Sequence, residues 1–92
     1  MKTFELTRDA IAIVPEKLIG TKWNSWCELY RERMSVEFID NSKCVVLMQP
    51  RKFTETYTVT EGKLKINNIE GPFELRGNVL FNNDIPVFEK AA

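Results

Sequence analysis

The feature that most constrains this chain is the even spacing of its turn residues. From Met34 onward, short apolar runs are separated by Asp40-Asn41-Ser42, Pro50-Arg51-Lys52, Glu61-Gly62, Asn67-Asn68, Glu70-Gly71-Pro72, Gly77-Asn78 and Asn82-Asn83-Asp84. A turn about every 8–12 residues is the signature of an all-β meander, sandwich or barrel. Connections this short leave no room for crossover helices, so the strands pair antiparallel.

The clearest hairpin is Phe53–Asn67. With Glu61-Gly62 as its turn, Val59 pairs with Leu64 and Tyr57 with Ile66, all on one face. Thr54, Thr56, Thr58, Thr60, Lys63 and Lys65 occupy the other, which describes a half-buried sheet. Before it, Met34–Asp40 alternates and Lys43–Gln49 is apolar on both faces. A three-residue loop at Asp40-Asn41-Ser42 sets Phe38 opposite Cys44 and Val36 opposite Val46; a two-residue turn at Asn41-Ser42 aligns Phe38 with Val45 and Val36 with Leu47. Either register leaves one apolar set, Val45/Leu47 or Cys44/Val46/Met48, outside the main core. The N-terminal segment covers it, or it is an interaction patch. Phe73–Leu75 and Val79–Phe81 form a further hairpin about Gly77-Asn78, and Ile85–Lys90 closes the series. Phe38, Phe53, Tyr57, Phe73 and Phe81 are the large rings expected to crowd the interior.

Towards the N-terminus, Phe4–Leu6 and Ala10–Val14 each suit a strand. Pro15 to Gly20 reads as one helical turn, with proline at its first position and glycine just past its end. Trp23, Trp26, Cys27, Tyr30 and Met34 fit one face of an amphipathic helix. The scarcity of strong helix formers before Glu28 favours strand plus loop instead. At 92 residues the chain suits a single domain, 1–92.

Charge narrows the functions. Lys plus Arg and Asp plus Glu each number 13, so no overall basic field attracts a phosphate backbone, and no nucleic-acid partner is expected. There is no histidine, which removes the usual general base and the commonest metal ligand. Cys27 and Cys44 are too few for a structural zinc site and form either one disulfide or two free thiols. Asn67-Asn68 and Asn82-Asn83-Asp84 read as turns, not calcium loops. No stretch is long and apolar enough to be a transmembrane segment, and Met1 to Leu6 lacks the apolar core of a signal peptide.

The order of these signals resembles that of small bacterial lipocalin-like (calycin) domains. Leu18-Ile19-Gly20-Thr21-Lys22-Trp23 is similar to their opening, a helical turn leading into a Gly-Thr-x-Trp strand. Val36 to Val46, Tyr57 to Ile66, Phe73 to Phe81 and Val87 to Lys90 resemble the hairpins and closing strand that follow, so the likeness covers residues 15–90 and leaves residues 1–14 as an extension ahead of the usual start. It implies a small antiparallel up-and-down β-barrel with Trp23 closing its base, and a cell-envelope or secreted setting. It carries no shared catalytic motif.

Three residues stand out as ligand-binding candidates. Glu55 alternates with Phe53, Tyr57 and Val59, which aims a carboxylate at the apolar face; such a group needs a partner or a route to water. Tyr57 beside it offers a hydroxyl to orient a ligand. Trp26 has the opposite strand parity to Trp23, and an exposed tryptophan is a recurrent anchor for partners. With no nucleophile–base pair, metal cluster or phosphate loop, the chain is read as a non-enzyme that needs no cofactor. The expected function is a protein-interaction or binding module, since the large rings should fill a small barrel. The alternative is a small apolar ligand held in a residual cavity at Glu55 or Tyr57, and an exposed strip could instead join two copies in a homodimer.

Overall fold

A computed structural model describes residues 9–31, 33–69 and 71–91. The strand expected at Phe4–Leu6 lies outside the described residues. A short helix α1 (Pro15–Leu18) leads into β1 (Lys22–Ser25), a 3₁₀ turn at Glu28–Tyr30, then β2 (Met34–Phe38), β3 (Lys43–Met48), β4 (Arg51–Thr60), β5 (Lys63–Ile66), β6 (Glu74–Arg76), β7 (Val79–Asn82) and β8 (Ile85–Lys90).

The strands form one sheet in the order β5-β4-β3-β2-β1-β8-β7-β6, every named pair antiparallel. Each strand neighbours the next in sequence, and β1 pairs with β8. The last seam, between β5 and β6, is closed by a single bridge in which Leu64 and Phe73 exchange backbone bonds of 3.0 and 2.6 Å. The result is a nearly closed eight-stranded up-and-down barrel, one of the architectures the turn spacing allows and the one the resemblance implies.

The turns explain the registers. Glu61 and Gly62 both have positive φ, 54° and 75°, as the favoured two-residue hairpin turn requires. Val59 then faces Leu64 and Tyr57 faces Ile66. Gly62 also sits against the N-terminal segment, where an added Cβ would lie 3.1 Å from Ala12. Between β2 and β3 the three-residue loop wins, with Phe38 opposite Cys44 and Val36 opposite Val46. Asp40 decides it, because its Oδ1 accepts from the Ser42 and Lys43 amides at 2.9 and 2.8 Å.

Trp23 to Met34 is strand plus loop, as favoured. Lys22–Ser25 has neighbours on both sides, and Trp23 and Ser25 are both buried. Cys27 and Tyr30, which a helical stripe would bury, are exposed. The strand expected at Ala10–Val14 shrinks to one bridge, Ile11 to Leu75, with the Ile13 amide donating to Gly62 O at 2.9 Å. These residues sit at the β5–β6 seam, while Val45 and Leu47 on β3 stay half-buried.

The core holds Ile13, Leu18, Trp23, Val36, Phe38, Cys44, Val46, Tyr57, Leu64, Ile66, Phe73, Leu80 and Phe88, with Phe53 half-buried against them. Phe81 departs from expectation. The two-residue turn pairs it with Glu74, on the opposite face from Phe73 and Leu75. It is buried outside that cluster, beneath the Arg76 guanidinium, 4.8 Å from the ring centre.

Candidate binding site at the barrel mouth

The end of the barrel reached by α1 is sealed. Leu18, Ile13 and Trp23 are 3%, 5% and 3% exposed. The Trp23 indole donates to Thr21 Oγ1 at 2.9 Å, and that hydroxyl donates to Leu18 O at 2.5 Å. The large indole therefore has its one polar atom satisfied while its rings plug the base.

Tyr57 belongs to this end. Its ring meets Phe38 edge-on, with centroids 4.9 Å apart, and its hydroxyl donates to Asp40 O in the β2–β3 loop. Burial holds the phenol's pKa above its ordinary value, with the Asp40 carboxylate adding to the effect. Tyr57 is a structural tie here, and its hydroxyl is already engaged.

The opposite end is open. A cavity of about 290 Å³ is lined by Met34, Val46, Met48, Phe53, Ile69, Phe73 and Phe88, with Ser35, Leu47, Asn68 and Val87 completing the wall. Phe73 and Phe88, in edge contact at 5.8 Å, line it as well as belonging to the packed core. Its origin is a mismatch of strand lengths. β4 runs ten residues, but β5 accompanies it only from Tyr57 to Thr60. The Asn67 amide makes one more bond, to Thr56 O at 2.9 Å, before the chain turns away. Phe53 therefore lacks a strand beside it on that flank, and Ile69, carried back by the β5–β6 loop, lines the space instead.

Glu55 lies at this break. It is half-buried on the inward parity read from the sequence, and its Oε2 accepts from Asn68 Nδ2 at 3.2 Å. The end of β5 gives the carboxylate a polar partner, as a buried acid requires. Asn68 lines the cavity, whereas Glu55 is not in its wall. Trp26 is half-buried, and its amide donates to Val87 O at 2.9 Å, fixing the start of the β1–β2 connection on β8. Trp26 is not part of the cavity wall. The structure thus does not gather Glu55, Tyr57 and Trp26 around one space.

The ligand-binding candidates read from the sequence do not include the wall residues Met34, Met48 and Ile69, although Met48 belongs to one of the two apolar sets that suit an interaction patch. The available signal was positional: methionines at the mouth ends of β2 and β3, and one isoleucine inside an otherwise polar turn.

Both thiols are free, Cys27 exposed and Cys44 buried. Burial, helped by the Glu55 carboxylate opposite, pushes the Cys44 thiol up to about 11, which disfavours the reactive thiolate. Among the described residues no three Cys, Asp or Glu side chains converge as a metal site, and no helix is long and apolar enough to cross a membrane. Comparison with family models, curated proteins and solved structures finds no match.

Proposed function

We propose that this chain is a non-enzymatic binding module that receives an apolar group in the cavity at its open end. The cavity carries the reading: about 290 Å³ of space walled by methionine, isoleucine, valine and phenylalanine. Methionines suit such a role, because an unbranched thioether adapts to differently shaped occupants. The group is an apolar side chain presented by a protein partner. The engaged Tyr57 hydroxyl, the raised Cys44 thiol and the lack of any histidine support a role without catalysis.

The cavity's size favours a second reading, a free small apolar ligand. An apolar cavity of about 150 Å³ accommodates benzene, and this one holds roughly twice that. The calycin resemblance supports the same reading, and with it a cell-envelope or secreted setting, which cell fractionation tests.

An environment-sensitive naphthalene dye tests the shared claim. Saturable binding by the cooperatively folded protein, lost in Met34→Glu and Met48→Glu, is the expected result. Absence of dye binding, or binding indifferent to both substitutions, would refute the cavity as a site. Displacement of the dye by free medium-chain fatty acids or bicyclic hydrocarbons would favour the small ligand over the partner side chain.

A further inference from the structure

The gap that makes the cavity also leaves a strand edge without a partner. β4 pairs with β3 from Arg51 to Thr56 and with β5 only from Tyr57. The Tyr57 amide donates to Ser42 O at 2.9 Å, so odd-numbered residues of β4 turn their backbone groups towards β3. Lys52, Thr54 and Thr56 turn theirs the other way. Asn67 takes the Thr56 carbonyl. Among the described residues no backbone bond takes the N–H or C=O of Lys52 or Thr54, and both residues are exposed.

We propose that this edge of β4 receives an extended strand from a protein partner, one that alternates apolar and acidic residues. The inference rests on the cavity reading and specifies its occupant. In an added strand, the residue opposite Phe53 points inward beside that ring, which is the cavity wall. Residues opposite Lys52 and Thr54 point outward. Backbone bonds to the edge supply affinity and the cavity selects the inward side chain, the division of labour in strand addition.

Charge sets the acidic preference. Arg33, Arg51 and Lys52 stand exposed around this end of β4, and Arg33 and Lys52 share one surface depression with Gln49 and Pro50. None of the three cations is in an ion pair among the described residues, whereas Arg31 pairs with Glu89 and Arg76 with Glu74 and Asp84. A second copy of the chain is a poorer occupant, since joining two β4 edges brings Arg51 and Lys52 of both copies onto one seam.

The test uses the whole protein, isotope-labelled, and a capped heptapeptide alternating glutamate with leucine. Binding should shift the backbone amides of Lys52, Thr54 and Thr56 and slow the exchange of those of Lys52 and Thr54. Thr54→Pro deletes an outward N–H without touching the β3 ladder, and should weaken binding about tenfold, the equivalent of one or two hydrogen bonds. N-methylation of the peptide at alternate backbone positions should do the same with the protein unaltered, so misfolding of the proline variant leaves the claim open to refutation. Lys52→Glu should reduce affinity for the glutamate peptide and raise it for its lysine counterpart.

Dye binding without peptide binding would overturn the strand and leave the cavity reading standing. Failure of both would remove both. Peptide affinity unaffected by Thr54→Pro and by N-methylation would also overturn the strand. Light scattering that shows a dimer, with Lys52 and Thr54 protected before any peptide is added, would replace the partner with a second copy and refute the proposal.

Discussion

The two ends of the barrel are made of the same strands and finish differently. At the base, α1 and the residues before it fold across the opening, and Trp23, Leu18 and Ile13 are almost wholly buried. At the mouth, β5 ends at Ile66 and β4 continues without it, so Phe53 and Met34 are only half-buried and Met48 is 40% exposed. The contrast shows how a small barrel can separate its tasks along its own axis. Side chains at the closed end hold the fold together, and those at the open end are left with unsatisfied apolar surface.

Trp23→Ala should therefore carry the largest penalty, on the order of 3–5 kcal/mol in denaturant unfolding, because it opens a cavity where packing is complete. A loss similar to that of a mouth substitution would break the comparison. Tyr57→Phe should come next, at about 1 kcal/mol, since it removes the bond to the Asp40 carbonyl and leaves the ring packing intact. Dye binding at the mouth should be unchanged in that variant, and a change would show that the two ends are coupled. Met48→Ala should cost less still, under about 1 kcal/mol, given its exposure, yet reduce dye binding several-fold.

The smallest effect is a dependence on pH at the base loop. The Ser42 and Lys43 amides hold the Asp40 carboxyl below its ordinary value of 3.8. A depressed native pKa adds stability that is fully present above 3.8 and lost as pH falls through the native value. Asp40→Asn should flatten that part of an acid unfolding profile. An acid limb unchanged by the substitution would remove Asp40 from the account of this end.

Much of the barrel could be read from local pattern, because hairpins are specified locally. Alternation from Phe53 to Ile66 with glycine at 62 sets face, partner and turn together. The β2–β3 loop was ambiguous because both registers bury an apolar set, and the choice depended on where one Asp40 oxygen points. Phe81 falls outside the expected interior because a two-residue turn switches the inward-facing positions from odd to even numbers, which places Leu80 rather than Phe81 beside Leu75. The mouth was illegible for a different reason. Parity tells which face a residue occupies, not how deep along the barrel it lies. Glu55 and Tyr57 share a face, yet one ends at the broken seam and the other beneath the base loop. The cavity depends on where β5 stops and where Ile69 returns, and neither is a property of one segment.

The join between β1 and β8 has a consequence for how the chain reaches its shape. Trp23 lies opposite Lys90, and the Ala91 amide donates to Lys22 O at 2.8 Å. The contact spans most of the polypeptide, so the entropy of closing that loop must be met before the contact returns anything. During synthesis, β2 to β7 can pair as they emerge from the ribosome, while β1 keeps one flank bare until β8 has emerged. Loss of β8 would thus leave β1 and β7 as two open edges, a state prone to aggregate.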